Sequence, residues 1–370
     1  MIRKFPASVL VLVLVGLASC TSTPPAVRPS GKATHATPAP EQGRHRPISG
    51  RPLGPSGIRL VVSTFGKADP APAVMDVDTS TLTPIVGLPA PNPDPKVAVT
   101  PYVRGRQAFV GVSGAKLNQE WVYLLKGSQA QKLSSGWSAF PAFDGSGFWV
   151  TDQPVYDGPC TVRKLTENGK LLRRPRWTYC GALPTSDTRY GLHTVHQRRS
   201  LLLAHDSLRK LAQYPRIMAS TSRKLLVQQQ DKDFALVDPG TGKKQPINRP
   251  TRSGEAWNGE VSTDGKHIAV LFLEHNVSVY EYLDVWVLDT ETLRWTRLPS
   301  MPTPADLKTH RMLWTQDGRL VLAGAFVTTQ NAYPLESDLA GMIAVWRPGE
   351  PTLSVKRLPV PWATHLEILP

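Results

Sequence analysis

Cysteine is scarce in this chain: three residues in 370, too few for a disulfide-built scaffold. Charge is sparse too, at 19% of residues, and acids are the scarcer sign, with 29 Asp and Glu against 43 Lys and Arg and a formal charge of +14. Long apolar runs are missing except for one at the N-terminus, which excludes a polytopic membrane protein. No convincing amphipathic helix appears, and the 28 glycines lack the every-third-residue period of collagen. Catalytic signatures are also missing: there is no Gly-x-Ser-x-Gly elbow, no Walker loop and no dinucleotide fingerprint. What the chain does have is 35 Pro, 10 Trp and an apolar fraction of 41%, enough for a substantial core and a lean toward strands and turns.

The N-terminus reads as an address. Arg3 and Lys4 precede the apolar run Val9 to Val15, which is short for a bilayer span, and small residues follow before Cys20. Leu17-Ala18-Ser19-Cys20 resembles the lipobox of bacterial lipoproteins. That resemblance implies a signal peptide over residues 1–19 and a lipidated Cys20, with diacylglycerol and palmitate-type acyl chains as the membrane anchor. It also implies a protein held on the extracytoplasmic face of the cell membrane. The Ala-, Pro- and Arg-rich composition points to a GC-rich bacterial genome, such as an actinobacterium. Residues 20–55 are rich in Pro, Thr and Ala without apolar periodicity, and are expected to form a disordered tether. Its Arg28, Lys32, Arg44, Arg46 and Arg51 either lie on anionic head groups or are solvated.

Signal and tether together hold seven basic residues and one acid, so six of the fourteen excess charges belong to them and eight to residues 56–370. A nucleic-acid partner would need a clustered basic stripe or a recognisable module, and neither is present. Cys160 and Cys180 flank a strand–Asn168-Gly169–strand pattern and are expected to form a disulfide in an oxidising compartment.

From residue 56 onward the sequence repeats. Val261 to Phe272 is strand, Asp264-Gly265 turn, strand; Asp284 to Pro299 adds a third strand, the polar turn Asp289-Thr290-Glu291-Thr292 and a fourth. Met312 to Leu322 repeats the first half around Asp317-Gly318, and Met342 to Leu358 the second. Weaker copies lie at Phe140–Val150, Phe234–Gly242, Val74–Leu82 and Trp121–Ser128. These units resemble the TolB-like and WD-like β-propeller repeat. The Asp-x-x-Thr turn, Trp295 and Leu298-Pro299 add kelch-like features, without the kelch double glycine; Ala323-Gly324-Ala325 comes nearest. The resemblance implies an all-β propeller over residues 56–370, of about seven four-stranded blades at a repeat of roughly 40–45 residues. Blade starts are expected near Ile58, Val97, Trp137, Ala182, Ser220, Trp257 and His310. The first blade shows three strands and the C-terminus a surplus one, Ala363 to Ile368, so the tail is expected to complete blade one and close the ring.

Chemistry is harder to find. His193 and His196, three apart on a strand, point to opposite faces and make no metal site; no metal, cofactor or catalytic residue is assigned. Strand tryptophans (Trp121, Trp149, Trp286, Trp295, Trp314 and Trp346) are expected between blades, with Trp257 at a blade entrance. Trp257 with Glu255, Asn258 and Glu260 would line the channel mouth. The insertions Leu273–Tyr282, carrying Glu274, His275, Tyr280 and Tyr282, and Thr328–Leu339 occupy equivalent places in neighbouring blades and would emerge on the same face. The function expected is a binding or scaffold module for an envelope protein, glycan or small-molecule ligand. The alternative is a hydrolase or lyase with its active site at the channel mouth.

Overall fold

Short apolar-rich runs form strands, several of them buried at every position, and polar Asp-Gly turns fold successive runs into antiparallel sheets. In the computed structural model this pattern builds a ring of seven four-stranded blades. The structure describes residues 46–64, 72–89, 98–113, 120–152, 160–173, 183–230, 232–275, 281–330, 335–361 and 364–370. Of the chain's two units, Met1–Gly43 and Arg44–Pro370, the second holds all of these.

The first strand is β1 (Gly50–Pro52). Blade one contributes β2 (Arg59–Thr64), β3 (Ala73–Asp76) and β4 (Leu82–Pro84); blade two β5 (Ala98–Arg104), β6 (Gln107–Ser113), β7 (Glu120–Lys126) and β8 (Gln129–Ser135). Blade three is β9 (Ser138–Pro141), β10 (Phe148–Asp152), β11 (Thr161–Leu165) and β12 (Leu171–Arg173). Blade four is β13 (Ser186–Thr188), β14 (Gly191–His196), β15 (Arg199–Leu203) and β16 (Lys210–Tyr214). Blade five is β17 (Arg216–Ser220), β18 (Leu225–Gln228), β19 (Phe234–Val237) and β20 (Lys244–Ile247). Blade six is β21 (Glu255–Val261), β22 (His267–His275), β23 (Glu281–Asp289) and β24 (Trp295–Arg297). Blade seven is β25 (Thr303–Trp314), β26 (Leu320–Val327), β27 (Leu339–Trp346) and β28 (Leu353–Arg357). The last strand, β29 (Thr364–Ile368), returns to blade one and pairs antiparallel with β2, Leu60 opposite Ile368 and Thr64 opposite Thr364. The expected closure by the C-terminal tail is therefore present.

Blade starts fall within a few residues of those expected, the largest difference being β25, which begins at Thr303 rather than near His310. Pro302 and Pro304 flank that start, and a proline-flanked segment reads as a turn from sequence alone. β25 is long enough that its first residues pair with β23 (Leu283 opposite Thr303, Glu281 opposite Ala305), fusing blades six and seven into one nine-stranded sheet. The tether expected to reach residue 55 has ordered residues at its end. β1 runs parallel to β28, Ile48 is buried in the core between blades six and seven, and Arg51 donates to Ser354 Oγ and Glu350 Oε1, each at 2.9 Å.

The core lies between the blades. Seven clusters of buried side chains each join strands of two neighbouring blades, so each sheet is covered on both faces. Trp149, Trp314 and Trp346 are buried within these seams, and Trp121, Trp286 and Trp295 pack against them half-buried. The Asp-Gly turns are structural: Asp264 Oδ1 accepts from Ser262 Oγ and the Lys266 N–H, and Gly265 takes a φ of 72° that favours glycine. Asp317 repeats the arrangement, accepting from Thr315 Oγ1 at 2.6 Å.

Leu366, 1% exposed on β29, packs in the seam where blades seven and one meet, beside Leu60, Met75, Val321 and Ile343. Leu366→Ala is expected to cost about 2–5 kcal/mol of stability. Urea denaturation checks this, and a loss below about 1 kcal/mol would show that the closing strand carries little of the fold.

Candidate functional site

The innermost strand of each blade faces the axis of the ring, and four of them, β5, β21, β25 and β29, enclose a cavity of about 390 Å³. That is the size range of small-molecule sites. Two irregularities shape its wall. On β21 the register with β22 shifts between Ala256 and Asn258, so Trp257 is the extra residue of a bulge. A bulge re-aims a side chain, and Trp257 stands 58% exposed at the cavity. The bulge is held from blade five, where Arg216 donates to the carbonyls of Ala256 (2.8 Å) and Trp257 (2.6 Å).

On β25 the register with β26 shifts between Asp306 and Arg311. His310 lies at the end of this shift, its Nδ1 bonded to the Asp306 carbonyl at 2.5 Å and its ring set edge-on to Phe326 at 4.6 Å. The ring lies over Gly324, where a Cβ would meet His310 atoms at 3.0 Å. The small residue is thus what gives the imidazole its place. Burial holds His310 down at about 4, so the ring is neutral at physiological pH. Its Nε2 is buried and has no hydrogen-bond partner among the described residues.

Across the cavity, β29 alternates Leu366 and Ile368 into a seam with His365 and Glu367 on the channel wall. Arg311 Nε donates to Glu367 Oε1 at 2.5 Å, and His365 Nε2 lies 3.0 Å from that oxygen and 3.2 Å from the Pro101 carbonyl. Glu367 and His365 are 5% and 6% exposed, so this is a buried pair satisfied by added hydrogen bonds. Glu260, half-buried on β21, has no such ion pair among the described residues. Burial pushes its carboxyl up to about 7; Arg104 pulls the other way and the Glu367 charge adds to the rise.

Of the residues singled out from sequence, Trp257, Asn258 and Glu260 line this cavity. Glu255 does not; its charge bears on Arg216 and Arg249. Glu274 and Tyr282 sit opposite each other where β22 and β23 extend into a long hairpin, outside the cavity lining. The segment read as a loop-like insertion is therefore strand at both ends. His275 pairs with Glu281 in that hairpin, while its side chain and Tyr280 lie outside the described residues, as do Cys20, Cys180, Trp177 and Trp362. The second insertion closes on itself through Thr328, whose N–H and hydroxyl both donate to the Asp338 carbonyl at 2.9 Å. His193 is a structural histidine, its Nε2 3.1 Å from Ser200 Oγ and burial lowering it to about 4. No cluster of three metal-ligating side chains exists among the described residues.

Arg104, His310, Arg311, His365 and Glu367 were not found from sequence. The signal available for the last two was the alternation His365-Leu366-Glu367-Ile368 in a strand already expected to be innermost. Nothing comparable marked His310, because the register shift between Asp306 and Arg311 breaks the alternation there.

No protein-family model matches the chain, and no curated protein matches it in sequence. Solved structures resemble it in fold. A protein from Lactobacillus plantarum superposes with a TM-score of 0.51 at 11% identity, over 85% of this chain and 99% of that one. A functionally unknown protein from Desulfotomaculum acetoxidans gives 0.49 at 10% identity, over 83% and 97%. TolB from Acinetobacter baumannii gives 0.47 at 14% identity, over 86% and 68%. At such identities the likeness speaks to the fold alone. The chain is a β-propeller.

The folded state holds the Glu260 proton to about pH 7, whereas the unfolded chain releases it near its ordinary value of 4.5. Stability therefore falls as pH rises through that window. E260Q is expected to gain up to about 3 kcal/mol over the wild type near pH 8 and nothing near pH 4. Paired denaturation curves check this, and an equal difference at both pH values would place the Glu260 carboxyl in the ordinary range.

Proposed function

We propose that this propeller is a lipid-anchored, extracytoplasmic binding protein that takes a small polar ligand at the mouth of its central channel. The observation that carries the reading is the buried His310 Nε2, without a hydrogen-bond partner among the described residues, in a cavity wall that also holds the Glu260 carboxyl and the exposed Trp257. Buried polar atoms are normally satisfied, and a ligand rich in hydroxyls would supply the partner that His310 lacks. An indole face over hydrogen-bonding walls suits the apolar face of a sugar ring, so a mono- or disaccharide is the ligand class of choice. Anchoring through acylated Cys20 rests on the lipobox-like Leu17-Ala18-Ser19-Cys20, and no described helix is long and apolar enough to cross a membrane. The Cys160–Cys180 disulfide belongs to the same reading; it is supported by a wholly buried Cys160 that does not stand as a free thiol.

One observation favours the alternative of a hydrolase or lyase. Glu260 keeps its proton to about 7, and the neighbouring Glu367 is ion-paired with Arg311, so one wall offers a carboxyl that could donate a proton beside a second carboxyl group. The binding reading is preferred because Glu367 is buried and already bonded to Arg311 and His365.

Two measurements test the proposal. Cys20→Ala is expected to move the protein from the membrane to the soluble fraction and abolish labelling by radioactive palmitate; retention in the membrane fraction would refute the anchor. Titration with glucose, galactose, N-acetylglucosamine and their disaccharides is expected to change the tryptophan fluorescence saturably. Trp257→Ala should then weaken binding at least about tenfold, the effect of losing a central aromatic anchor. Binding indifferent to both Trp257→Ala and E260Q would sink the channel-mouth site. Turnover abolished by E260Q would select the enzyme instead.

A further inference from the structure

A second cavity, of about 440 Å³, lies at the seam between blades three and four, away from the channel. Its floor is Asp187 of β13, whose side chain is 2% exposed. Three donors saturate that carboxylate: Oδ2 accepts from Trp149 Nε1 at 2.8 Å and the Phe143 N–H at 3.0 Å, and Oδ1 from His205 Nε2 at 2.6 Å. The His205 ring is stacked near Trp149, with centroids 6.3 Å apart. The other acid in the wall, Asp144, accepts from Ser146 and from Lys164 Nζ at 2.9 Å. Both acids of the cavity are thus engaged by groups of the seam itself. The wall then carries two further cations, Arg173 at the end of β12 and Arg189 in the turn after β13, and neither has an ion-pair partner among the described residues.

We infer that this seam cavity is a second binding site, which takes a phosphate or sulfate group between Arg173 and Arg189. Arginine's planar fork matches such an oxyanion in two parallel hydrogen bonds, and two arginines on one wall leave a positive potential that the engaged acids do not cancel. The cavity is far larger than a bare oxyanion. Phe143 and Leu172, each 48% exposed, line the remainder, so the group is carried on a molecule with an apolar face. His205 adds charge: the bond to Asp187 raises its pKa, burial and Lys164 oppose the rise, and the imidazolium persists above the ordinary histidine range. The charged groups around it are Asp187, Lys164 and Asp144, with Arg173 and Arg189 across the cavity. Asp206, beyond the lining, bears on Arg173.

The test is calorimetric titration of the full-length protein with inorganic phosphate, inorganic sulfate and glucose 6-phosphate, with glucose as the uncharged control. Vesicles of phosphatidylglycerol and of phosphatidylcholine separate a lipid head group from a free phosphate. Phosphate or glucose 6-phosphate is expected to bind saturably and glucose not at all. The exposed pair R173A/R189A should weaken binding at least about tenfold with an unchanged melting temperature, since each arginine supplies charge-assisted hydrogen bonds. Affinity for sulfate, whose charge is constant over this range, should fall as pH rises through the His205 titration, and His205→Gln should remove that pH dependence while leaving the arginine dependence. Selective binding to phosphatidylglycerol vesicles that R173A/R189A abolishes would support the site with a head group as the carrier. Absence of saturable binding in every arm, or binding that R173A/R189A leaves intact, would overturn the inference. The outcome is independent of the channel-mouth reading, since none of these residues lines that cavity.

Discussion

Everything in this molecule depends on one antiparallel pairing between the two ends of the folded chain, β29 against β2. An open row of blades would leave one face of the first and last sheets uncovered, and each sheet here has apolar residues on both faces. Closing the row turns those two faces toward each other. The seam they form is as well filled as the others, with Leu60, Met75, Leu366 and Ile368 of blade one against Leu313, Val321 and Ile343 of blade seven. A ring closed by non-local contacts is slow to form, because the loop spanning the whole chain must be closed before those contacts can stabilise it. The structure adds a second link at the same place: β1 runs along the outer strand of blade seven, so the chain enters the ring beside the seam at which it finishes.

Closure also decides where chemistry can sit. The strand that completes blade one is an innermost strand, and one of its faces must look into the channel. That face carries His365 and Glu367. The register shifts on β21 and β25 do the rest, since a regular strand would keep its side chains in strict alternation. One shift turns Trp257 out to the mouth and the other lays His310 across Gly324. Two of the ring's register shifts thus lie at its candidate site, while those of β7, β11, β15 and β17 lie elsewhere. Regular blades supply rigidity, and the departures from regularity supply the groups that could meet a ligand.

The fold was legible because its signals are short-range. Asp-Gly turns, Asp-x-x-Thr turns and two-residue alternation recur often enough to place seven blades and identify the surplus last strand. Those that failed were also local: Pro302 and Pro304 disguised the start of β25, and the insertion after Leu273 looked like a loop because its polar residues hid an extended hairpin. The candidate site was legible only where one strand contributed several of its members, as with Trp257, Asn258 and Glu260. Arg104, Arg311 and Glu367 come from blades two, seven and one and are separated in sequence by more than two hundred and by more than fifty residues; no spacing encodes such a meeting. Glu255 shows the converse error. It neighbours the right residues in sequence, yet its charge bears on Arg216, which holds the bulge from blade five, and on Arg249.

The two cavities differ in the way their charges are balanced, and that difference separates their chemistry. In the channel, Arg311 is matched by Glu367, and Glu260 answers its burial by keeping a proton, so Arg104 is left as a single cation without an ion pair among the described residues on a wall rich in hydrogen-bonding groups. Such a wall favours a polar molecule of little charge, because a highly charged one would be desolvated without enough counter-charge. At the seam of blades three and four the acids are buried or bonded, while two arginines remain at the wall beside a histidine whose pKa the bond to Asp187 raises. An anion entering there loses solvent and gains partners at the same time. The modest positive charge of the folded part is thus not spread evenly over the ring. It is partly matched in the channel, through Arg311 and Glu367, and concentrated at one seam, which is the arrangement expected if the two places select ligands of different charge.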